Sequence, residues 1–355
     1  MSNICWDRYP LLAQSTYGRT WLTIQQNLGL AQNTIEAYGR ALEDYIAFSQ
    51  QREMPLESAH REQIALYVRD LASRPHPRRR KTIPVPNGSG GLANATLQQR
   101  LTAVRLFYDY LMEEGIREDN PVGRGRYSPH TGFGGHRERG ILPRYRSLPW
   151  IPDTEQWKAI LEEVKQEPLR NRMMFALAYD AGLRREELCS LQIQDIDPAH
   201  RLLHIRAETT KNRQGRVVPY SVATSELYGA YLIHRRQLSR ERGPIFLSES
   251  RRNRAHPISI WTWSKVVKQI AERSGVEQFT THTLRHLCLT DLARAQWDIH
   301  EIATFAGHRS TETTLLYVHL SGRELQAKLE QNMASVNFEI KWLMRTLCGS
   351  SKVIK

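Results

Sequence analysis

Cysteine is scarce in this sequence, and no two cysteines lie close together. The four in the 355-residue chain are Cys5, Cys189, Cys288 and Cys348. Structural zinc sites and disulfide-stapled domains need cysteines at short, regular spacings such as Cys-x-x-Cys, and no such pair is present. We therefore expect no metal site and no disulfide framework, and a reducing compartment such as the cytoplasm fits this content.

Long apolar runs and nucleotide-binding glycine motifs are also missing. No stretch approaches the roughly 18 uninterrupted apolar residues of a membrane span, and the N-terminus lacks a basic start followed by an apolar run. We expect neither membrane insertion nor export. No P-loop is present either, so the sequence offers no ATP site of that class and predicts no cofactor.

Positive charge is what the chain has in excess. Fifty Lys and Arg against 37 Asp and Glu give a net charge of +13, and the excess is shared by residues 1–150 and the rest. A protein that surrounds a polyanion such as double-stranded DNA gains affinity by releasing counterions from phosphates. A basic protein that binds no nucleic acid has the same charge, so charge alone leaves both interpretations open.

The length and the placement of glycine and proline predict two domains, because 355 residues exceed one typical core. The predicted organisation is a helical domain at 1–120 with a loop at 74–93, a basic linker at 121–150, a larger domain at 151–335 and a tail at 336–355.

Apolar residues at helical spacing predict a small helix bundle in the first domain. One helix is predicted to begin at the cap Asn33, a second to run over 61–73, and a third to begin at the cap Asn94 and end near Gly115. The loop and the linker carry basic residues that are candidates for phosphate contacts, although a solvated charged loop explains them equally well. They are Arg78, Arg79, Arg80, Lys81, Arg124 and Arg126.

The second domain is predicted to be mainly helical with one small antiparallel sheet, which makes the whole chain mainly α with an α+β second domain. It opens at the cap Asp153, with Gln156 at the third helical position. Three β-prone stretches follow at 192–196, 202–206 and 216–220. The predicted helices are 173–180, 224–239, 259–274, 283–295, 300–305, 311–317 and 323–333.

Several residues of this domain could carry chemistry. His282 and Arg285 are three apart, so on a helix their side chains point to one side. His286 follows His282 by four, as in a zinc-protease helix, but Thr283 stands where that motif requires glutamate, so we reject a metal interpretation. Lys211, at a predicted hairpin tip, could reach a ligand, although most hairpin lysines are merely solvated.

Taken together, these residues resemble the signature of the tyrosine recombinase (phage integrase) family, and the likeness extends from about residue 33 to residue 333. The family patterns are a Gly-Leu-Arg-x-x-Glu-Leu segment, a hairpin lysine before Arg-x-Val-Pro, His-x-x-Arg, Gly-His, and a tyrosine two residues before a histidine. The matching positions are Arg184, Lys211, His282, Arg285, His308 and Tyr317, with Glu187 in support.

The resemblance implies that Tyr317 is a nucleophile that becomes joined to DNA through a 3′-phosphotyrosyl bond. Charge that develops on the phosphate must be neutralised, and Arg184 and Arg285 suit this role because guanidinium groups stay charged and bind phosphate with two hydrogen bonds. The covalent bond stores the energy of the broken one, so rejoining needs no ATP.

The remaining positions are expected to handle protons. His282 is the candidate base for the phenol, and His308 is a candidate hydrogen-bond donor. The resemblance gives Lys211 the protonation of the departing 5′-oxygen, although the nearby Arg213 leaves the identity of this general acid open. Glu187 is expected to orient other side chains.

The resemblance also implies an assembly on DNA. We expect a SAM-like core-binding domain and a catalytic domain clamped around the duplex, a dimer on each site and a tetramer in synapsis, in the nucleoid region of a bacterial cytoplasm. Helix 323–333 would dock on a neighbouring subunit or on its own core. The sequence leaves open whether accessory DNA-bending proteins or partner recombinases take part.

Two other functions compete with a recombinase that moves a phage, transposon or similar element. A type IB topoisomerase uses a similar residue set to relax DNA, but a helical N-terminal domain at this spacing favours recombination. A non-catalytic DNA-binding relative is expected to have lost at least one of the six residues, and none is lost here.

Overall fold

The computed structural model describes residues 4–74, 92–123 and 148–320. The chain divides into two compact units, Met1–Arg146 and Ser147–Lys355, and each has its own apolar core. Within the described residues, no helix combines the length and the apolar character that a membrane span requires. The basic candidates at 78–81 and at 124 and 126, and the predicted helix 323–333, lie outside the described residues.

The first unit is helical in its described parts. A short 3-10 turn at Trp6–Arg8 precedes five helices. They are α1 (Pro10–Gln14), α2 (Thr16–Asn27), α3 (Gln32–Gln50), α4 (Arg61–Ser73) and α5 (Asn94–Glu113). The bounds of α4 are those predicted from the sequence, whereas α1 and α2 were not predicted.

The two asparagine caps predicted for this unit are wrong. The N-cap positions are Ala31 for α3 and Ala93 for α5, and neither makes a side-chain cap bond. Both asparagines therefore lie inside the first helical turn. The Asn94 side chain instead accepts a hydrogen bond from Gln98 Nε2 at 3.0 Å, so its oxygen is used along the helix surface.

Hydrogen bonds and an ion pair connect three of these helices through one carboxylate. Asp44 on α3 accepts hydrogen bonds from Tyr67 on α4 (2.7 Å) and from Arg100 on α5 (2.6 Å). It also pairs with Arg74, which directly follows α4. Three donors on one half-buried carboxylate fix the relative positions of α3, α4 and α5.

The second unit is mostly helical with one sheet, which confirms the predicted fold class. Its helices are α6 (Thr154–Lys165), α7 (Leu169–Asp180), α8 (Arg185–Cys189), α9 (Val222–Leu238), α10 (Ile260–Arg273), α11 (Thr281–Arg294), α12 (Ile299–Ala306) and α13 (Thr311–Leu320). Its strands are β1 (Ile196–Asp197), β2 (Leu202–Ile205) and β3 (Arg216–Pro219).

The predicted capping box at the start of this unit is confirmed. Asp153 Oδ1 accepts from the Gln156 N–H at 2.9 Å, and Gln156 Oε1 accepts from the Asp153 N–H at 3.0 Å. Helix α7 begins at Leu169, four residues before its predicted start, because Pro168 occupies its N-cap. Its ψ of 151° is extended, so the helix starts at the next residue, and the missing proline N–H costs nothing because the first N–H groups of a helix have no partner within it.

The sheet is antiparallel in the order β1-β2-β3. Leu203 pairs with Ile196 on one side and with Val218 on the other, and these side chains face the core. The predicted strand 192–196 is wrong over most of its length, since Ile193–Asp195 forms a 3-10 turn. The buried Asp195 carboxylate holds this turn by accepting from the Gln192 N–H at 2.8 Å.

Candidate active site

Helix α11 carries Arg285 into the interior of the second unit, where its side chain is only 4% exposed. Its Nη1 donates to the Gly182 carbonyl at 2.5 Å and its Nη2 to the Ala306 carbonyl at 2.6 Å. The guanidinium therefore bridges the turn after α7 and the end of α12. Burial, with the nearby charge of Arg184, lowers the pKa of Arg285 to about 10, so it stays charged at neutral pH.

The turn at Gly182 requires glycine. Its φ is +54°, in the left-handed region, and a Cβ there would lie 3.2 Å from the Phe305 ring and 3.4 Å from Cys288 Sγ. This close approach of the backbone to α11 and α12 lets the Gly182 carbonyl accept from Arg285.

Glu187 connects two arginines that come from separate elements. Arg184, directly before α8, donates from Nη1 to Glu187 Oε1 at 2.8 Å and from its backbone N–H to Oε2 at 3.0 Å. Arg216 on β3 donates to both oxygens, at 3.1 and 2.8 Å. Burial would raise the pKa of Glu187, but Arg216 and Arg184 outweigh it and lower the pKa to about 2.

The β2–β3 hairpin is hydrogen-bonded to the end of α12 and to the turn after it. Arg216 Nε donates to the Phe305 carbonyl at 2.8 Å, and Asn212 Nδ2 donates to the Gly307 carbonyl at 3.3 Å. Lys211, next to Asn212, is exposed in the same hairpin connection. Its position therefore depends on contacts that also hold the backbone beside His308.

His308 is a neutral imidazole whose tautomer can be inferred from its partners. Arg285 Nη2 lies 3.1 Å from Nε2, and since arginine only donates, Nε2 must accept. The proton is then on Nδ1, which donates to Thr314 Oγ1 at 2.9 Å. Burial, with the charges of Arg285 and Arg184, lowers the pKa of His308 to about 4 and keeps the ring uncharged at neutral pH.

Tyr317 on α13 is 4% exposed and lies against two imidazole rings. Its ring is parallel to that of His308, with a 6.0 Å centroid separation and a 9° interplanar angle. Its hydroxyl lies 3.1 Å from His286 Nδ1. Burial raises the pKa of Tyr317, while the charges of Arg285 and Arg184 act in the opposite direction. The phenol is therefore protonated at neutral pH in the free protein.

The structure brings five of the predicted residues into one connected cluster. Hydrogen bonds, ring contacts and electrostatic interactions link Arg184, Glu187, Arg285, His308 and Tyr317.

Lys211 is exposed and lies apart from this cluster. His282 is linked to the cluster by electrostatic interactions with Arg285 and Arg184. His282 is an exposed residue in the first turn of α11, and among the described residues it makes no hydrogen bond to Tyr317. Its pKa is lowered by loss of hydration and by Arg185, Arg285 and Arg184, against an opposing effect of Glu186.

Sequence reasoning missed two residues of this site. Arg216 appeared only as part of the pattern before Val217, and His286 appeared only in the rejected zinc motif. The spacing of four from His282 could have placed His286 on the same helix face.

Within the described residues, no group of three or more His, Cys, Asp or Glu side chains could hold a metal ion. Fixed cations around a phenol suit a phosphate group.

Comparisons with known proteins find relatives for both units of the chain. The model of the phage integrase family matches residues 152–324, and that of the phage integrase N-terminal SAM-like domain matches residues 21–115. Transposase A from transposon Tn554 of Staphylococcus aureus is 28% identical over 317 residues, covering 84% of this chain and 86% of its own. Tyrosine recombinase XerD of Caulobacter vibrioides is 28% identical over 307 residues, covering 83% and 88%.

Solved structures share the fold at low identity. The XerH site-specific recombinase bound to a palindromic difH substrate has a TM-score of 0.62 at 19% identity, covering 85% of this chain and 79% of its own. The Tn1549 transposon integrase in complex with transposon right end DNA has a TM-score of 0.63 at 14% identity, covering 89% and 99%. The fold is thus that of site-specific recombinases and integrases. The chain belongs to the phage integrase family, the tyrosine recombinases, enzymes that cleave and rejoin DNA strands.

Proposed function

We propose that Tyr317 performs the DNA cleavage, in a site-specific recombinase that serves integration, excision or transposition of a mobile element. The observation that carries this proposal is the placement of Tyr317. It is a buried phenol whose hydroxyl meets a neutral imidazole and lies in the field of Arg285 and Arg184. A bound phosphate would neutralise these two cations, of which Arg285 is buried, and would offset the cost of holding them close together.

Arg285 is prepared for a phosphate by its contacts within the protein. Its guanidinium has five N–H donors, and three are used by the two backbone carbonyls and His308. Two donors of a rigidly held group are left for phosphate oxygens. Arg184, whose side chain is 21% exposed, supplies a second guanidinium, and an ion pair with Glu187 fixes its position. The pair would stabilise the charge of the pentacoordinate phosphate.

The reaction then proceeds by transfer of the phosphoryl group. The Tyr317 oxygen forms a bond to phosphorus while the bond to the 5′-oxygen breaks, and Lys211 protonates that oxygen. A 3′-phosphotyrosyl bond joins the protein to one strand. Attack by the 5′-hydroxyl of another strand reverses these steps and restores Tyr317. The sequence predicts His282 as the base, although in the free protein the Tyr317 hydroxyl is hydrogen-bonded to His286. His308 would donate to the phosphate after a change of tautomer.

The partners we propose are double-stranded DNA and further copies of this chain. Two copies would occupy each site and four would form the synapse, in the nucleoid region of a bacterial cytoplasm, with or without accessory proteins. Arg78, Arg79, Arg80, Lys81, Arg124 and Arg126 are candidates for phosphate contacts. The similarity to a Tn554 transposase supports an element-borne role, and the similarity to the tyrosine recombinase XerD supports recombinase activity.

Covalent trapping tests the role of Tyr317. The full-length protein is incubated with nicked DNA duplexes that carry the sequences flanking its gene, so that cleavage releases a short strand and cannot be reversed. We expect a protein–DNA adduct that survives denaturation. Tyr317→Phe, which lacks only the hydroxyl oxygen, should bind the DNA and form no adduct. Equal adduct formation by the two proteins would disprove the proposal.

A plasmid assay separates the other two functions. Exchange between two cognate sites identifies a recombinase, whereas relaxation of supercoiled plasmid at any sequence would identify a topoisomerase. DNA binding without any adduct would identify a non-catalytic relative. Salt concentration is held constant in these assays because affinity for DNA depends on it steeply.

A further inference from the structure

The hydroxyl of Tyr317 has one hydrogen-bond partner among the described residues, and it is not the histidine that the sequence predicts. His286 Nδ1 lies 3.1 Å from the hydroxyl oxygen, and the two rings are 5.8 Å apart at 34°. His286 lies one helical turn beyond His282 on α11, on the part of the helix that packs against α13. The nucleophile is therefore held by a residue outside the matched signature.

The charge state of His286 suits a proton acceptor. Burial, with the neighbouring His282 and Arg285, lowers its pKa to about 4. The groups that act on it electrostatically are His282 and Arg285 on its own helix, and His308 from the turn after α12, while Tyr317 on α13 contacts it directly. At neutral pH the ring is uncharged, so one nitrogen lacks a proton and can accept from the phenol.

We propose that His286 is a catalytic residue that positions the Tyr317 hydroxyl and takes its proton during DNA cleavage. The inference rests on the proposed role of Tyr317. In the cleavage step the proton moves from the phenol oxygen to His286 Nδ1 as the oxygen bonds to phosphorus, and Lys211 supplies a proton to the departing 5′-oxygen. In rejoining, the imidazolium returns the proton to the phenol oxygen as the phosphotyrosyl bond breaks.

The bound phosphate makes this transfer feasible. An imidazolium beside Arg285 is unfavourable in the free protein, because two positive charges then face each other in a buried site. A DNA phosphate between Arg184 and Arg285 brings negative charge, which offsets this repulsion. Proton acceptance by His286 is therefore coupled to the presence of substrate, and the free enzyme keeps its tyrosine protonated.

Two substitutions at one position separate hydrogen bonding from proton transfer. In His286→Asn the side-chain oxygen can occupy the place of Nδ1 and accept from the phenol, but an amide does not take up a proton. His286→Ala removes both abilities. His300→Asn is the matched control, because His300 is an exposed histidine on α12 outside the site. Cleavage is measured in a single turnover on the nicked substrate, with the adduct quantified over time.

We expect His286→Asn and His286→Ala to cleave about 100-fold more slowly than wild type or slower, as for removal of a general base. His300→Asn should cleave at the wild-type rate. The inference is overturned if His286→Asn cleaves within about fivefold of wild type, since a hydrogen bond would then suffice. Thermal unfolding of each variant shows whether a slow rate reflects loss of the fold. If His286→Ala does not fold, the rate of the conservative variant His286→Asn still tests the inference.

A pH profile gives the second readout. The wild-type cleavage rate should fall as the pH is lowered, because protonated His286 cannot accept the phenol proton, and this acid limb should be absent from His286→Asn. An unchanged acid limb in His286→Asn, together with its loss in His282→Asn, would assign proton transfer to His282 and overturn the inference. If wild type forms no Tyr317-dependent adduct, the proposed function itself fails, so the two failures are distinguishable.

Discussion

The carboxylate of Glu187 binds two guanidinium groups. One belongs to Arg184, which is proposed to bind phosphate, and the other to Arg216 on β3, the second strand of the hairpin that carries Lys211. Glu187 is 1% exposed and receives hydrogen bonds from Arg184 and Arg216. Because removal of the Glu187 charge leaves the buried Arg216 without its counter-charge, the effect on stability exceeds that of a surface ion pair.

We predict that Glu187→Gln lowers the free energy of unfolding by about 2 kcal/mol at pH 7 and also slows cleavage, since Arg184 loses its anchor. The pKa of Glu187 is about 2 in the folded protein, below its ordinary value of 4.5. Its contribution to stability is therefore complete above about pH 4.5 and is lost as the pH falls toward 2. Chemical denaturation at several pH values measures this difference.

Glu186→Gln is the matched control, because Glu186 is a half-exposed neighbour paired with Arg185. Its substitution should change stability by less than about 0.5 kcal/mol at any pH. A difference between wild type and Glu187→Gln that stays constant from pH 7 to pH 3 would contradict the assignment of a buried, ionised carboxylate.

At the residue scale, sequence reasoning identified the side chains that belong to the matched signature but not the contacts between them. Arg285, His308 and Tyr317 were predicted from the resemblance to the family signature. The hydrogen bond between His286 and Tyr317 joins residues 31 positions apart and depends on how α13 lies on α11. No local pattern encodes that packing, so the choice between His282 and His286 needed the fold.

Among the elements, the turn after α12 is the point where the hairpin and the helices meet. Gly307 ends α12 with φ +64°, and a Cβ there would lie 3.1 Å from Arg216 Nη1 and 3.2 Å from its Cδ. The next residue is His308, which contacts both Arg285 and Tyr317. A displacement of this turn would therefore move His308 relative to Arg285 and Tyr317.

We predict that Gly307→Ala both destabilises the protein and slows cleavage. The left-handed backbone costs about 1 kcal/mol for alanine, and the added methyl group also displaces Arg216 from Glu187. Gly275→Ala separates the two effects, because Gly275 has φ +72° with open space around its Cβ position. Thermal unfolding and single-turnover cleavage should show the larger loss for Gly307→Ala. Equal losses for the two variants would contradict the steric argument.

Element boundaries were predictable where the local chemistry alone decides them. The Asp153–Gln156 capping box fixed the start of α6, and α4 was predicted with its observed bounds. The asparagines at 33 and 94 suggested caps that the backbone does not use. Helix α3 begins at Gln32, one residue before Asn33, and α5 begins at Asn94 itself; each follows an alanine at the N-cap. A capping residue favours a helix start, but packing against neighbouring helices decides between adjacent positions.

For the whole molecule, the net charge of +13 predicts DNA binding that weakens steeply with salt. We predict that changing Arg78, Arg79, Arg80 and Lys81 together to alanine reduces the slope of log affinity against log salt. The expected reduction is about 0.9 for each DNA phosphate that these four side chains neutralise in the wild-type complex. Fluorescence anisotropy on a duplex at several salt concentrations measures the slope.

Tyr317→Phe serves as the control in this experiment, since it removes no charge and should leave the slope unchanged. An unchanged slope in the fourfold variant would mean that the run 78–81 is a solvated loop, as one interpretation of the sequence allows. Binding of this kind is independent of base sequence, so the effect should be similar for cognate and unrelated duplexes.

The sharing of Glu187 by Arg184 and Arg216 also limits how this protein can change over generations. A mutation of Glu187 leaves the buried Arg216 without its counter-charge, and a mutation of either arginine removes one of the two partners of Glu187, so most single steps away from the present trio lower fitness before a second mutation can restore it. Lineages that carry this enzyme should therefore drift more freely on its surface than at these positions. In a library randomised at positions 187 and 216, with Arg184 retained for phosphate binding, we expect functional survivors to have changed at both positions or at neither.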